Sequence, residues 1–239
     1  MDFSFLNDDL GYLLWGTFPD GPPGGALLTL LLSAGSGLAS AALGLGLGLL
    51  LVLLRGPALL VLTLLLGFLR AIPVLMLIFW SYFLLPIVFG LDVPGVLSVM
   101  AALALVSGAY LAHAVAAGIR GVGAGQMAAA LSLGFTRWGA LRQVVLPQAL
   151  RMMLPSFINQ WVTLVKDSSL AYIVGVSELS FLATQVNARV MVHPTEIFLF
   201  VGAVYWLLCS ALDLGARAVA RRHAHATTPA PTSLATASR

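Results

Sequence analysis

The residues of this chain that could do chemistry are few, and most of them lie close together. Asn159, Gln160, Thr163, Lys166 and Asp167 recur at a spacing that, at about 100° per residue, gathers them within about a third of a helix circumference. The run that holds them, Leu154 to Val176, is otherwise rich in apolar residues and long enough to cross a bilayer, so one face of a membrane-spanning helix is polar. A charge near the centre of such a helix costs about 2.5 to 3.5 kcal/mol on the insertion scale and persists only for a reason. Lys166 and Asp167 are neighbours in sequence and do not pair along a helix, so each needs a partner on another element or a wet cavity. Two readings follow: a polar network between helices with charges snorkelling to the membrane edge, or the lining of a path for a polar solute. Arg70, three residues before Pro73, poses the same choice and offers hydrogen-bond donors suited to a carboxylate.

The remaining reactive groups offer less. His113 has no second ligand at i+3 or i+4 and reads as an interior histidine, so no metal site is expected. Cys209 is the one cysteine, which excludes an internal disulfide and a zinc cluster. The chain lacks a G-x-x-x-x-G-K-[ST] phosphate loop, H-E-x-x-H, G-x-S-x-G and any spaced pair of intramembrane carboxylates. It is not expected to be an enzyme, and active transport through it would draw energy from another polypeptide or from an ion gradient.

The elements that must position these groups are membrane helices. Of 239 residues, 60% are hydrophobic and 9% charged, against roughly 25% charged in a soluble domain. A mean hydropathy of +1.00 agrees. Five spans are expected: Ala26 to Leu54, Ala71 to Phe89, Val96 to Ile119, Leu154 to Val176 and Glu196 to Leu214. Ala58 to Leu69, cut from the second span by Arg70 and Pro73, reads as a tilted or interfacial approach. Ser36, Ser40, Gly44 and Gly48 recur every fourth residue in the first span, a small-residue face for another helix of the same chain or of a second subunit. The opening Met1-Asp2-Phe3-Ser4 lacks the positive region of a cleavable signal, so the first apolar run is expected to be retained. The fold class is thus an all-α integral membrane protein. Residues 1–25 form an extracytoplasmic N-terminal segment, 26–220 the transmembrane domain and 221–239 a disordered cytoplasmic tail.

Charge sets the expected orientation. Arg55, Arg120, Arg137, Arg142, Arg151, Arg217, Arg221, Arg222 and Arg239, 9 of the 12 basic residues, fall on one side of the five-span arrangement, which makes that side the cytoplasm. Asp2, Asp8, Asp9, Asp20, Asp92, Glu178 and Glu196 collect opposite, with the N-terminus outside. Arg222, His223 and His225 give the tail a basic character suited to anionic lipid.

Between the third and fourth spans, Arg120 to Arg151 is too broken by glycine to cross as one apolar helix. Within it Gln126 to Leu133 reads as a short helix, Gly134 as its stop, and Thr136 as the cap of a second helix before Pro147. A compact exposed element of this kind suits a groove on a partner, and an ordinary interfacial loop is the alternative.

Ala128-Ala129-Ala130, three residues to Gly134 and nine more to Val144-Val145-Leu146-Pro147 resemble the E-A-A-x-x-x-G-x9-I-x-L-P loop of ABC importer permeases. Phe68 to Pro73 is similar to the F-R-x-x-P segment of the polar amino acid branch, and Leu164-Val165-Lys166-Asp167-Ser168-Ser169-Leu170 to its L-L-K-D-T-S-L. Arg70 to Pro73 with Phe79 to Pro86 is most like the glutamate/aspartate permeases.

The resemblance implies a permease subunit of an importer for polar amino acids in a bacterial cytoplasmic (inner) membrane. Its implied partners are an ATP-binding subunit carrying ATP and Mg, a second permease subunit, an extracytoplasmic substrate-binding protein and the lipid bilayer, with no nucleic acid. Coupling to the ATPase falls on Gln126, Ala128, Ala129, Ala130, Gly134, Leu146 and Pro147, and the solute path on Arg70, Asn159, Gln160, Thr163, Lys166 and Asp167. Two departures stand out. Ala128 replaces the motif glutamate, and His113-Ala114-Val115-Ala116 replaces an E-x-x-R, where loss of acid and base together strands neither charge. The alternative is a secondary transporter or channel for a small polar solute, using Arg70, Lys166 and Asp167.

Overall fold

The computed structural model describes residues 5–190 and 194–224, and among these the chain is helical without a strand. Its frame is a pair of long helices, α2 (Gly25–Leu53) and α6 (Gly95–Gly121), with α1 (Phe5–Trp15) ahead of them. Leu28 and Leu32 of α2 meet Val99, Ala102, Leu103 and Val106 of α6 in the main apolar core. Further along, the small-residue face sets how close the two helices come. A Cβ on Gly44 would lie 2.5 Å from the Leu111 Cβ, and one on Gly48 would lie 2.8 Å from the Ala112 carbonyl oxygen. Of the two uses open to the Ser36–Gly48 face, it serves packing inside this chain.

The expected break before the second span is real. Helix α3 (Gly56–Ala71) ends where Ile72 and Pro73 turn extended, because a residue before proline is pushed out of the helical region. The chain then resumes as α4 (Val74–Phe79), a π-helical turn (Trp80–Leu84) and α5 (Leu85–Phe89), bent by 100° from α3. Leu60, Val61, Leu64, Leu65 and Phe68 leave an apolar face of α3 exposed, as suits a lipid neighbour.

After α6 come α7 (Ala124–Ser132) and α8 (Arg137–Ala140), and α8 does not stop before Pro147 as expected. It continues through a second π-helical turn (Leu141–Val145) into α9 (Leu146–Asp167). Both π turns immediately precede a helix with a proline in its first turn, Pro86 and Pro147. A proline inside an α-helix would lose one hydrogen bond and press its ring on the carbonyl four residues back. Widening the turn, with the Leu85 N–H donating to Trp80 and the Leu146 N–H to Leu141, lets the helix run on.

The fourth expected span, Leu154 to Val176, is corrected in register: the α-helix runs over Leu146–Asp167 and a 3-10 turn (Ser168–Val174) follows, closed by Gly175 at φ +75°. Consecutive serines in place of helix formers and the glycine ahead explain the early end. A helix absent from the expected layout, α10 (Leu179–Val190), precedes α11 (Pro194–Ala224). Leu13 of α1, Leu179, Leu182, Ala183 and Val186 of α10, and Ile197 and Val201 of α11 form a second apolar cluster. The N-terminal segment is thus docked onto the bundle. The tail expected from residue 221 begins inside α11, and 225–239 lie outside the described residues.

Among the described residues, three helices are long and apolar enough to cross a membrane, α2, α6 and the Pro194–Ala216 part of α11, and the bent pair of α3 with α4–α5 makes up to four. Helix α9, at 22 residues, has the length but carries the polar face.

Candidate functional site

The α3–α4 break opens a cavity of about 500 Å³ between the end of α3, the middle of α6 and the end of α9. Arg70, Tyr110, Gln160, Thr163 and Asp167 line it together with Pro73. Because α3 ends at Ala71, its last carbonyls have no helical partner, and the Tyr110 hydroxyl donates to the Arg70 carbonyl at 3.4 Å. The Arg70 guanidinium carbon sits 4.8 Å from the centre of the Tyr110 ring, a cation–π contact that holds the charge at the rim. Gln160 donates from Nε2 to the Ser107 Oγ at 3.0 Å, tying α9 to α6. The Thr163 hydroxyl donates to the Asn159 carbonyl at 3.0 Å.

Of the six expected path residues, four meet here: Arg70, Gln160, Thr163 and Asp167. Asn159 and Lys166 lie on the exposed strip of α9, outside the cavity lining. Lys166 and Asp167 therefore part company, as adjacent residues on a helix must.

The second feature is the elbow of α7 and α8. Gly134 adopts φ +88°, the left-handed conformation a glycine reaches without cost, and the Phe135 N–H returns to the Ala130 carbonyl at 3.1 Å to close α7. Thr136 caps α8, accepting from the Gly139 N–H at 3.1 Å. Gln126, Ala128, Ala129, Gly134 and Pro147 are exposed, Leu146 is half-buried, and Ala130 faces inward. Leu133 at the tip is 80% exposed, and Trp138, five residues on in α8, is also exposed. The elbow thus presents an exposed apolar tip on a turn closed by hydrogen bonds on both sides. Arg55, Ile119, Arg137 and Trp138 share one groove, so the α2–α3 turn, the end of α6 and the elbow lie at the same end of the bundle.

The structure also brings out a group that reading the sequence placed among loop charges. Glu178 is completely buried. Its carboxylate accepts from the Ser180 and Phe181 N–H groups, both at 2.9 Å, from the Tyr205 hydroxyl at 2.8 Å and from the Thr29 hydroxyl at 3.5 Å. It thereby caps α10 and ties it to α2 and α11. Burial pushes this carboxyl above its usual range, against hydrogen bonds from Ser180, Tyr205, Phe181 and Thr29 that favour the charged form. The only signal in sequence is an acid just before an apolar helical run. His113 lies on α6 with its Nε2 buried and unpartnered, and among the described residues no group of three or more His, Cys, Asp and Glu could hold a metal.

A helical bundle with a charged cavity at a helix break and an exposed elbow at one end has the form of a membrane permease. Residues 40–225 match the family of binding-protein-dependent transport system inner membrane components, and the chain belongs to that family. It is 36% identical over 155 residues to the probable glutamine ABC transporter permease protein GlnM of Bacillus subtilis, covering 65% of this chain and 71% of that one. It is 32% identical over 162 residues to the glutamate/aspartate import permease protein GltK of Escherichia coli, covering 65% and 72%. Among solved structures, it is similar to an amino acid ABC transporter crystallised with histidines, with a TM-score of 0.80 and 26% identity over 93% of this chain and 99% of that one. The MetNI methionine ABC transporter, at 20% identity and a TM-score of 0.69 over 82% and 92%, shares the fold.

Proposed function

We propose that this chain is the membrane permease subunit of an ATP-driven importer of polar amino acids in a bacterial inner membrane. The observation that carries the reading is the family match over residues 40–225, with relatives named as amino acid permeases supplying the solute class. As a family permease the chain is not an enzyme; ATP and Mg belong to a separate ATP-binding subunit. That subunit docks at the elbow, through Gln126, Ala128, Ala129, Gly134 and Pro147, with Ala130 and Leu146 supporting the surface from behind. Ala128 in place of an acid makes the contact one of apolar packing.

A second permease subunit, the same or homologous, faces the exposed Asn159–Lys166 strip and completes the path, and an extracytoplasmic binding protein delivers the solute. Nucleotide binding and hydrolysis bias the path between its outward and inward forms through the elbow. Five crossings, counting α9 and the broken α3–α5 unit as one each, put the elbow with Arg55, Arg120, Arg137 and Arg142 in the cytoplasm and the N-terminus outside. The cavity beside Arg70 lies on the solute path.

Ala129→Glu tests the docking. The alanine is exposed on α7 and glutamate is a good helix former, so insertion and folding should be unchanged. Co-purification of the ATP-binding subunit and binding-protein-stimulated ATP hydrolysis should fall by about tenfold or more, as expected for a charge placed in an apolar contact. Unaltered assembly and hydrolysis would overturn the docking surface.

A further inference from the structure

The groove shared by the α2–α3 turn, the end of α6 and the elbow encloses about 630 Å³, within the range of small-molecule sites, and its walls are of two kinds. One is apolar: Val52 and Leu53 close α2, Ile119 lies in the last turn of α6, and Leu131 comes from α7. The other carries Arg55 and Arg137, both exposed, with Trp138 next in sequence. Among the described residues neither arginine side chain has a hydrogen-bond or ion-pair partner. Nearby sequence supplies no acid for them. The stretch 95–151 holds Arg120, Arg137, Arg142 and Arg151 and no Asp or Glu, and Asp92 lies ahead of α6, at the opposite end of that helix. Arg120 is a different case, since its Nη2 donates to the Leu51 carbonyl at 3.1 Å and so caps α2.

We propose that this groove binds an anionic phospholipid, its phosphate held by Arg55 and Arg137 and the start of its acyl chains lying on Val52, Leu53, Ile119 and Leu131. The proposal rests on the topology given under Proposed function, which sets this end of the bundle at the cytoplasmic leaflet. Leu53 and Ile119 belong to the last turns of two helices long and apolar enough to cross a membrane, so the apolar wall lies where hydrocarbon gives way to headgroups. Arginine and tryptophan anchor at that level. A guanidinium offers a phosphate two parallel donors, and basic pockets between helices on the cytoplasmic side suit anionic headgroups. A zwitterionic head would bring its own cation towards two arginines, a repulsion that an anionic head lacks. An acidic loop of a protein neighbour could meet the arginines but would leave the aliphatic wall uncovered. An anionic lipid satisfies both walls at once.

The test is lipid binding to the detergent-solubilised complex of permease and ATP-binding subunits, read by native mass spectrometry with phosphatidylglycerol, phosphatidylcholine and inorganic phosphate as probes. Phosphatidylglycerol should bind about tenfold or more tightly than phosphatidylcholine, and excess phosphate should leave it in place. Arg55→Gln combined with Arg137→Gln should abolish the preference. Arg142→Gln combined with Arg151→Gln removes the same charge from two exposed arginines outside the lining, and should keep it. Equal binding of the two lipids, displacement by phosphate, or an unchanged preference in the first double variant would each overturn the site. Equal losses in both double variants would overturn it too, as the mark of a diffuse attraction between a basic surface and anionic lipid. Wild type that binds no phosphatidylglycerol would give the groove to the protein neighbour instead. The comparison of probes on the wild type needs no variant to fold. ATP-driven uptake of amino acids into proteoliposomes is read separately: uptake without a lipid preference sinks this inference alone, whereas a lipid preference without any such uptake sinks the importer reading and leaves the site.

Discussion

A carboxylate without solvent is stable only when its acceptor sites are filled, and Glu178 fills them with two backbone N–H groups and two hydroxyls. Even so, burial leaves its carboxyl above the usual range, so the ionised form is disfavoured in the folded protein relative to the unfolded chain. The sign of the linkage follows. The contribution of Glu178 to stability is fully present below the ordinary glutamate value of about 4.3 and is lost as pH rises through the higher folded value. The detergent-solubilised protein and its Glu178→Gln variant should therefore differ in the slope of melting temperature against pH, the wild type losing more as pH rises across that window. Identical slopes would mean that Glu178 does not titrate with folding. Glu178→Ala, which leaves two backbone donors and a hydroxyl facing a void, should lower stability by about 1–3 kcal/mol at low pH, and by less as pH rises through the folded value.

Helices here are placed by what is missing from side chains as much as by what is present. Gly48 and Gly46 differ by two positions on α2, yet a Cβ on Gly48 would meet Val115 at 2.5 Å and the Ala112 backbone at 2.8 Å, whereas one on Gly46 meets nothing within 4 Å. Gly48→Ala should therefore destabilise by about 1–3 kcal/mol, by forcing α2 away from α6. Gly46→Ala should be neutral or stabilising by up to about 1 kcal/mol, since alanine loses less entropy in a helix. Thermal unfolding of the two variants side by side checks the pair, and equal effects would contradict the close crossing of α2 and α6. The two π turns illustrate the same dependence: Pro86 and Pro147 would each end a helix by local rules, and a widened turn in front of each lets the chain continue.

For the whole molecule the proposed topology makes a prediction about sidedness. Asp20 and Asp92 are exposed in the connections ahead of α2 and α6, and Gly125 and Ser132 are exposed on the elbow. In a Cys209→Ala background, single cysteines at Asp20 and Asp92 should react with an impermeant thiol reagent added to intact cells, and those at Gly125 and Ser132 only after permeabilisation. The reverse pattern would invert the proposed topology and remove the elbow from the ATPase side. Glu178, an obvious outside position from sequence, is unsuitable for a label because it is buried.

Membership of a membrane helical bundle was legible in the sequence because bilayer burial acts on runs of about 20 residues, and such runs are visible without knowing their neighbours. The Pro73 break and the Gly134 stop were legible for a related reason: proline and glycine act on their own φ and ψ. The resemblance around Ala128–Pro147 and Lys166–Asp167 likewise needed only local order along the chain, and it pointed to the family that the match over residues 40–225 confirms. The helix α10 and the continuation through Pro147 were not visible, since each depends on packing that outweighs local preference. Periodicity put Lys166 and Asp167 on one polar face; only the approach of α3 and α6 decided that Asp167 borders the cavity with Arg70 while Lys166 does not. Glu178 is the sharpest case, because whether a carboxylate is a solvated loop charge or the buried tie between α2, α10 and α11 depends on Thr29 and Tyr205, 149 and 27 residues away in sequence, which only tertiary structure brings within hydrogen-bonding reach.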